Sequence, residues 1–279
     1  SLDPMFQIAR EPLAELYLRA NRAAEAEKLL RDGVAQAPEQ GEPYFVLGKL
    51  LGSDPQRLAD AVAMFAEAAK KSPTTARYQY NLGVALEQLG QWAPAADALA
   101  VATKLDPQAT DAWHALAIAQ RQLERWPDLR ITAGELLSRS PDEPTYQHLH
   151  GLALLRLGDA TAAEHDLLGA SRAAEQSPDV AITLAEFFEV KQDWERAVGY
   201  ARLALSLSPT DREIQKIAVR IQQAAAKASV GPSPAAGPTP GAGALPLGVP
   251  GDPASIGPSP GPGDPVPPMN PAGGTPRVQ

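Results

Sequence analysis

The sequence contains no cysteine. That removes disulfides, thiolate nucleophiles and cysteine-based metal sites, and it is compatible with any compartment. Long apolar runs are also missing. No stretch of about 18 apolar residues exists, so no membrane-spanning helix is expected. Basic charge is short: 25 Lys and Arg face 33 Asp and Glu, giving a net charge of −8. With no Lys/Arg cluster, the chain lacks the electrostatic footprint of a nucleic-acid binder. Nor is there a glycine-rich phosphate loop, a Ser/His/Asp arrangement or a paired-carboxylate signature. The acidic residues are scattered along helix faces, as solvation requires. His148 and His150 are two residues apart, so on a helix they point to different faces and make a poor metal pair. His114 and His148 share a column of the repeat described below, but no carboxylates can be placed to complete a metal site. No enzyme activity, cofactor or metal is expected.

The composition changes along the chain. Residues 1–228 are rich in Ala, Leu, Glu and Arg, whereas residues 229–279 contain 15 Pro and 11 Gly. Stretches such as "GPSPAAGPTPGAG" favour polyproline II and open coil, and the lack of a strict Gly-x-y period excludes collagen. The tail therefore reads as a linker or a disordered end. Extended, it reaches roughly 160 Å, enough to lie along a folded surface of its own or a neighbouring chain.

The folded part repeats. Prolines follow helix-like segments at 38, 73, 107, 141, 178 and 209, and the chain falls into six frames of 34 residues. These are 7–40, 41–75 (one residue longer), 76–109, 110–143, 144–177 and 178–209, preceded by an extension, 1–6. The eighth position reads Ala14, Gly48, Gly83, Ala117, Gly151, Ala185. The residue before it reads Leu13, Leu47, Leu82, Leu116, His150, Leu184. A second small column reads Ala26, Ala61, Ala95, Leu129, Ala163, Ala197, and a third reads Gly33, Ala68, Ala102, Leu136, Ala170, Ala204. Within each frame apolar residues recur three and four apart, which is helical spacing. "LGQW", "LERW", "LGD" and "KQDW" interrupt it mid-frame. Each frame is thus expected to be a helix, a turn and a second helix. Small residues let the two helices approach closely, and a larger neighbour fills the groove beside them. Proline then ends the second helix. No frame can bury its own apolar face, so the frames must stack. Residues 210–228 read as one further helix, capped by Thr210 or Asp211, whose Ile214/Ile217/Ala218/Ile221 stripe covers the last frame. In unit four, Leu129, Ala133 and Leu136 replace the small-large-small pattern, so its second helix is expected to pack differently.

Leu82, Gly83, Ala95, Leu99, Ala102 and Pro107 stand at the spacings of the tetratricopeptide repeat, and residues 7–209 resemble that family. The resemblance implies an all-α, right-handed superhelical solenoid. It also implies a non-catalytic scaffold that binds an extended peptide on the concave face formed by the first helix of each unit. On that face the expected lining is Phe45, Lys49, Tyr80, Val84, Glu87, His114, Ile118, Arg121, His148 and Leu152, with Phe45, Tyr80, His114 and His148 as a ladder of flat rings. His150 reads instead as a core histidine. One groove type in the family clamps a C-terminal carboxylate with Lys and Asn. Here the matching first-unit positions are Glu11 and Glu15, which argues against a chaperone-tail receptor.

A second expectation is a self-assembling subunit of an extracellular fibre, a homo-oligomer or polymer. A head-to-tail contact that does not close makes a filament. Met5, Phe6 and Ile8 at the front and Ile214, Ile217 and Ile221 at the rear would form the joint. Under that reading the protein is bacterial and secreted, extracellular or periplasmic; the alternative is cytoplasmic. Ser233, Thr239, Ser255, Ser259 and Thr275 beside prolines would then be O-glycosylation candidates. The start, Ser1-Leu2-Asp3-Pro4, reads as either a mature end after a removed leader or an artificial extension before Met5.

Overall fold

The computed structural model describes residues 9–173 and 175–229. The chain divides into two units, Ser1–Gly231 and Pro232–Gln279, and the described helices all belong to the first. Met5, Phe6, Ile8, the proline-rich tail and its five candidate glycosylation positions lie outside the described residues.

Among the described residues there are 13 α-helices and no strand. In chain order they are α1 (Arg10–Arg19), α2 (Ala23–Gln36), α3 (Gly41–Gly52), α4 (Leu58–Lys71), α5 (Ala76–Gln88), α6 (Trp92–Leu105), α7 (Thr110–Gln122), α8 (Trp126–Arg139), α9 (Pro144–Arg156), α10 (Ala160–Ala170), α11 (Pro178–Val190), α12 (Trp194–Leu207) and α13 (Arg212–Ser229). Odd-numbered helices up to α11 are the first of each pair, and each helix packs chiefly on its neighbours in sequence. The fold is an all-α repeat array, and its core runs along the stack.

The turn inside each pair has one chemistry. In units one, three, four, five and six the fifteenth residue of the frame, just past the first helix, has positive φ: Asn21 58°, Gly90 71°, Glu124 54°, Gly158 85°, Gln192 58°. The next amide then reaches back to the helix. Arg22 N donates to Tyr17 O at 2.8 Å, Gln91 N to Leu86 O at 2.9 Å, Arg125 N to Gln120 O at 2.9 Å, Asp159 N to Leu154 O at 3.0 Å and Asp193 N to Phe188 O at 2.9 Å. This left-handed wrap satisfies carbonyls that the helix end would otherwise orphan. In unit two the equivalent residue is Pro55, whose ring holds φ near −65° and forbids the wrap. The chain answers with its one extra residue and a 3-10 turn, Pro55–Arg57, in which Asp54 Oδ1 accepts from Gln56 N at 2.9 Å. The insertion and the proline fall in the same turn.

Close helix approach explains the small column. A Cβ on Gly83 would sit 2.5 Å from Leu99 Cγ, on Gly48 2.7 Å from Phe65 Cε1 and on Gly151 2.7 Å from Leu167 Cγ. Units four and six solve the same contact differently: Ala117 and Ala185 take the glycine position, and Ala133 and Ala201 take the leucine position. Unit four therefore does pack with an inverted pattern. Leu129 and Leu136, on either side of Ala133, are fully buried and refill the volume that Ala133 gives up.

Prolines at 38, 73, 107, 141 and 209 each stand two residues past a second helix. Pro178 does not. It occupies the first turn of α11, where proline needs no N–H partner. Unit five carries Glu175 where the other frames have their proline, and α10 ends early in the 3-10 turn Ser171–Ala173. Asp211 is the cap of α13: its Oδ1 accepts from Glu213 N at 2.9 Å and from Ile214 N at 3.2 Å. Ile214, Ala218 and Ile221 are buried and Ile217 is half-buried. α13 packs on α12 and α11. The isoleucine stripe thus covers unit six and is withdrawn from any joint between copies.

Candidate functional site

Ion pairs identify the face shared by the first helices. Lys49 Nζ on α3 meets Glu11 on α1 at 2.7 Å, and Arg77 on α5 pairs with Glu42 on α3. Arg156 on α9 meets Glu186 on α11 at 2.7 Å. Arg220 on α13 meets Glu189 at 2.8 Å and Glu186 at 3.4 Å. Arg121 on α7 reaches Asp179 on α11 at 2.6 Å, linking unit four to unit six. Each pair joins first helices of different units, or the last of them to α13. The second, fifth, ninth, twelfth and thirteenth positions of the frames therefore line one surface. Partly exposed pairs stabilise little individually, but they fix which side chains on this surface are already matched.

The predicted lining divides into two groups. Phe45, His148 and Leu152 are buried and are corrections to the groove list. Phe45 packs its ring 5.8 Å from Phe65 and 5.0 Å from Tyr78, with Arg77 over it at 4.9 Å. It belongs to the interface between units, where apolar area leaves water. His148 Nε2 lies 3.0 Å from Thr183 Oγ1, and Thr183 donates its hydroxyl proton to Asp179 O at 2.8 Å. Thr183 can therefore only accept from His148, which fixes the Nε2–H tautomer. Burial pushes the His148 imidazole down to about 4, and the nearby Arg121 charge adds to this against Asp179. The ring ladder is absent, because rings pair across helices instead.

Tyr80, Val84, Glu87, His114, Ile118 and Arg121 remain part-buried and Lys49 exposed, all on first helices. Sequence reading missed Tyr146 and Asp111. The Tyr146 ring on α9 lies 5.8 Å from the His114 ring at 56°. The Tyr80 phenol is pushed up by burial, then by the Asp111 and Glu87 charges. That of Tyr146 is raised by burial, Glu143 and Asp111. A bulky residue at the third position of the frame, Tyr78 or Tyr146, was the available signal. Within this patch Glu87 Oε1 and His114 Nε2 are buried without a hydrogen-bond partner. Burial alone raises the Glu87 carboxyl to about 7.

A raised folded-state carboxyl favours folding while it is protonated. That contribution is complete below pH 4.5 and is lost as pH rises to about 7. Glu87→Gln is accordingly expected to match the natural chain at pH 4.5 and to exceed it by about 1–2 kcal/mol at pH 8, discounted for partial exposure. Urea melts at the two pH values check this, and equal gaps at both would refute it.

His150 stands in a leucine column because a partner awaits it. Its Nδ1 lies 2.6 Å from Asp166 Oδ2 on the facing helix α10. Among the described residues no group of three or more His, Asp or Glu is placed to hold a metal ion.

Helix pairs, turn chemistry and a face shared by the first helices agree with what comparison with known proteins finds. The tetratricopeptide repeat profile matches residues 56–110 and 148–212. Those two segments carry tetratricopeptide repeats. Three solved structures share the chain's fold. PilF of Pseudomonas aeruginosa is 16% identical with a TM-score of 0.57, covering 77% of this chain and 98% of its own. YrrB, described as a tetratricopeptide repeat protein with an unusual peptide-binding site, is 16% identical with a TM-score of 0.57, covering 70% and 97%. PilW, described as a widely conserved type IV pilus biogenesis factor, is 16% identical with a TM-score of 0.54, covering 77% and 99%. At this identity they establish the fold alone. No curated protein sequence matches the chain. Tetratricopeptide repeat proteins generally mediate protein–protein interaction, and such scaffolds are typically non-catalytic.

Proposed function

We propose that this protein binds an extended segment of another protein along the face formed by α5, α7 and α9. The observation that carries the reading is the contrast within that face. Toward both ends its charged groups are matched within the chain. In the middle, Tyr80, Val84, Glu87, His114 and Ile118 stay part-exposed, and two buried polar atoms lack partners. Leaving such atoms unpaired costs about 1–3 kcal/mol each, which a bound segment supplying hydrogen bonds would recover. YrrB, with its peptide-binding site, supports the reading by analogy of fold.

Selection of a random twelve-residue peptide library on the full chain tests it. Peptides are expected to enrich, and Ile118→Asp is expected to weaken a selected peptide at least tenfold. Ile131→Asp, on a second helix at an exposed position, should leave it unchanged. No enrichment, or equal effects of both substitutions, overturns the reading. A chain ending at Ser229 belongs in the same assay, because tighter binding by it would assign the groove to the chain's own proline-rich tail.

End-to-end assembly into a fibre has one observation in its favour. Leu13 and Leu16 on α1 are 38% and 59% exposed. The rear offers them Val219 amid Arg212, Lys216 and Arg220, since Ile214 and Ile221 are covered. Light scattering of the full chain at rising concentration distinguishes a fibre from a monomeric scaffold.

A further inference from the structure

The partner's chemistry can be taken one step further, on the basis of the groove reading above. On the first-helix face Glu11, Glu42, Asp179, Glu186 and Glu189 are paired, whereas, among the described residues, the exposed Asp111 and the part-buried Glu87 are not. Each paired carboxylate has a cation from the same chain: Lys49, Arg77, Arg121, Arg156 and Arg220, the last shared by Glu186 and Glu189. Glu87 has none. Its side chain makes no ion pair or hydrogen bond among the described residues, and its Oε1 is buried. The nearest arginine in its own column, Arg121, is committed to Asp179 at 2.6 Å.

Its surroundings are not those of a carboxylate kept for solubility. Tyr80 lies one side of it, two turns earlier on α5, close enough for its phenol to feel both Glu87 and Asp111. Asp111 in turn acts on Tyr146, whose ring packs against His114. The part-buried Glu87 and the exposed Asp111 thus act on two part-buried phenol rings, and neither carboxylate makes an ion pair among the described residues. Ring faces carry negative potential and attract cations, most strongly where water is thinned. A buried carboxylate without a counter-ion is costly, and a guanidinium or ammonium arriving from outside would remove that cost.

We infer that Glu87 is the anchor for an arginine or lysine side chain of the bound segment, seated between the carboxylate and the Tyr80 ring. The partner is thus a peptide segment with a basic residue at one fixed register, in a chain whose own charge is −8. Matched pairs elsewhere on the face, and the burial of Glu87 Oε1 against the exposure of Asp111, leave Glu87 as the point where the cation settles, which fixes the register of the rest of the segment.

The library selection supplies the test. Peptides enriched on the natural chain are expected to share one Arg or Lys at a constant position. A synthetic copy of the strongest should lose about tenfold in affinity when that residue becomes citrulline or acetyl-lysine. Glu87→Gln should lose the same factor, and combining the two changes should lose no more than either alone. Glu135→Gln, on second helix α8, controls for net charge and should have no effect. If peptides enrich and respond to Ile118→Asp but carry no common cation, or bind Glu87→Gln unchanged, the cation inference is overturned while the groove reading stands. If nothing enriches, both fall. A melting curve for Glu87→Gln guards against a folding defect.

Discussion

Gly83→Val is expected to lower stability by about 3 kcal/mol, and to cost far less in a chain that already carries Leu99→Ala. Leu99 is fully buried. A Cβ at position 83 would lie 2.5 Å from its Cγ and 2.8 Å from its Cδ2. Real carbon atoms do not approach so closely, so either the leucine leaves its rotamer or α5 and α6 separate. Overpacking of that kind costs about 1–3 kcal/mol, and the upper end applies where the colliding atom is a branch point in a closed core. Leu99→Ala alone should cost about 3 kcal/mol through its cavity. Together the two substitutions put bulk on α5 where α6 has lost it, and Gly83→Ala with Leu99→Ala reproduces the Ala–Ala pairing of units four and six. A coupling of about 2 kcal/mol is the expected result of the urea-melt cycle. Additive costs would show that the contact between these two positions is not what fixes the helix spacing.

Acid should unfold the protein partly through one imidazole. The His148 value of about 4 lies below the ordinary 6.5. A depressed folded-state value means the unfolded chain binds the proton more readily. The associated stability is complete above pH 6.5 and is lost as pH falls toward 4. For a side chain this deeply buried the loss amounts to about 3 kcal/mol. His148→Gln keeps a donor for Thr183 and cannot titrate. The gap between the natural chain and the variant is therefore expected to shift by about 3 kcal/mol between pH 7 and pH 4. Parallel pH curves would show that His148 is free to take up its proton in the fold. Glu87 acts in the opposite sense over an overlapping window, so the natural chain should look flatter with pH than either variant does.

Much of the architecture could be read in the sequence because packing of this kind is periodic. Glycine or alanine at the eighth position, a second small column and proline punctuation follow from helix geometry and hold wherever helices stack. What escaped reading was the side of each helix that a given residue ends on. Phe45, Tyr80, His114 and His148 share one column, yet Phe45 and His148 are buried while Tyr80 and His114 stay part-exposed. The difference lies largely in the neighbouring unit. Tyr78 and Phe65 close over Phe45, and Thr183 with the Arg121–Asp179 bridge closes over His148. Phe65 belongs to the same unit as Phe45, but Tyr78 and Thr183 come from the next unit, Thr183 from 35 residues away, beyond the reach of a column read within one frame. Tyr146 and Asp111 were missed for the same reason: their role appears only where two units meet.

The pairs that link first helices also decide in what sequence the units can be strung. Lys49 needs Glu11 before it, Arg77 needs Glu42 before it, and Arg121 needs Asp179 two places on. Units alike in backbone are thereby made unlike in address. A permutation that moved unit four to the front would keep every helix and turn, yet it would separate Arg121 from Asp179 and uncover His148. Each of these pairs is matched in one order of units only.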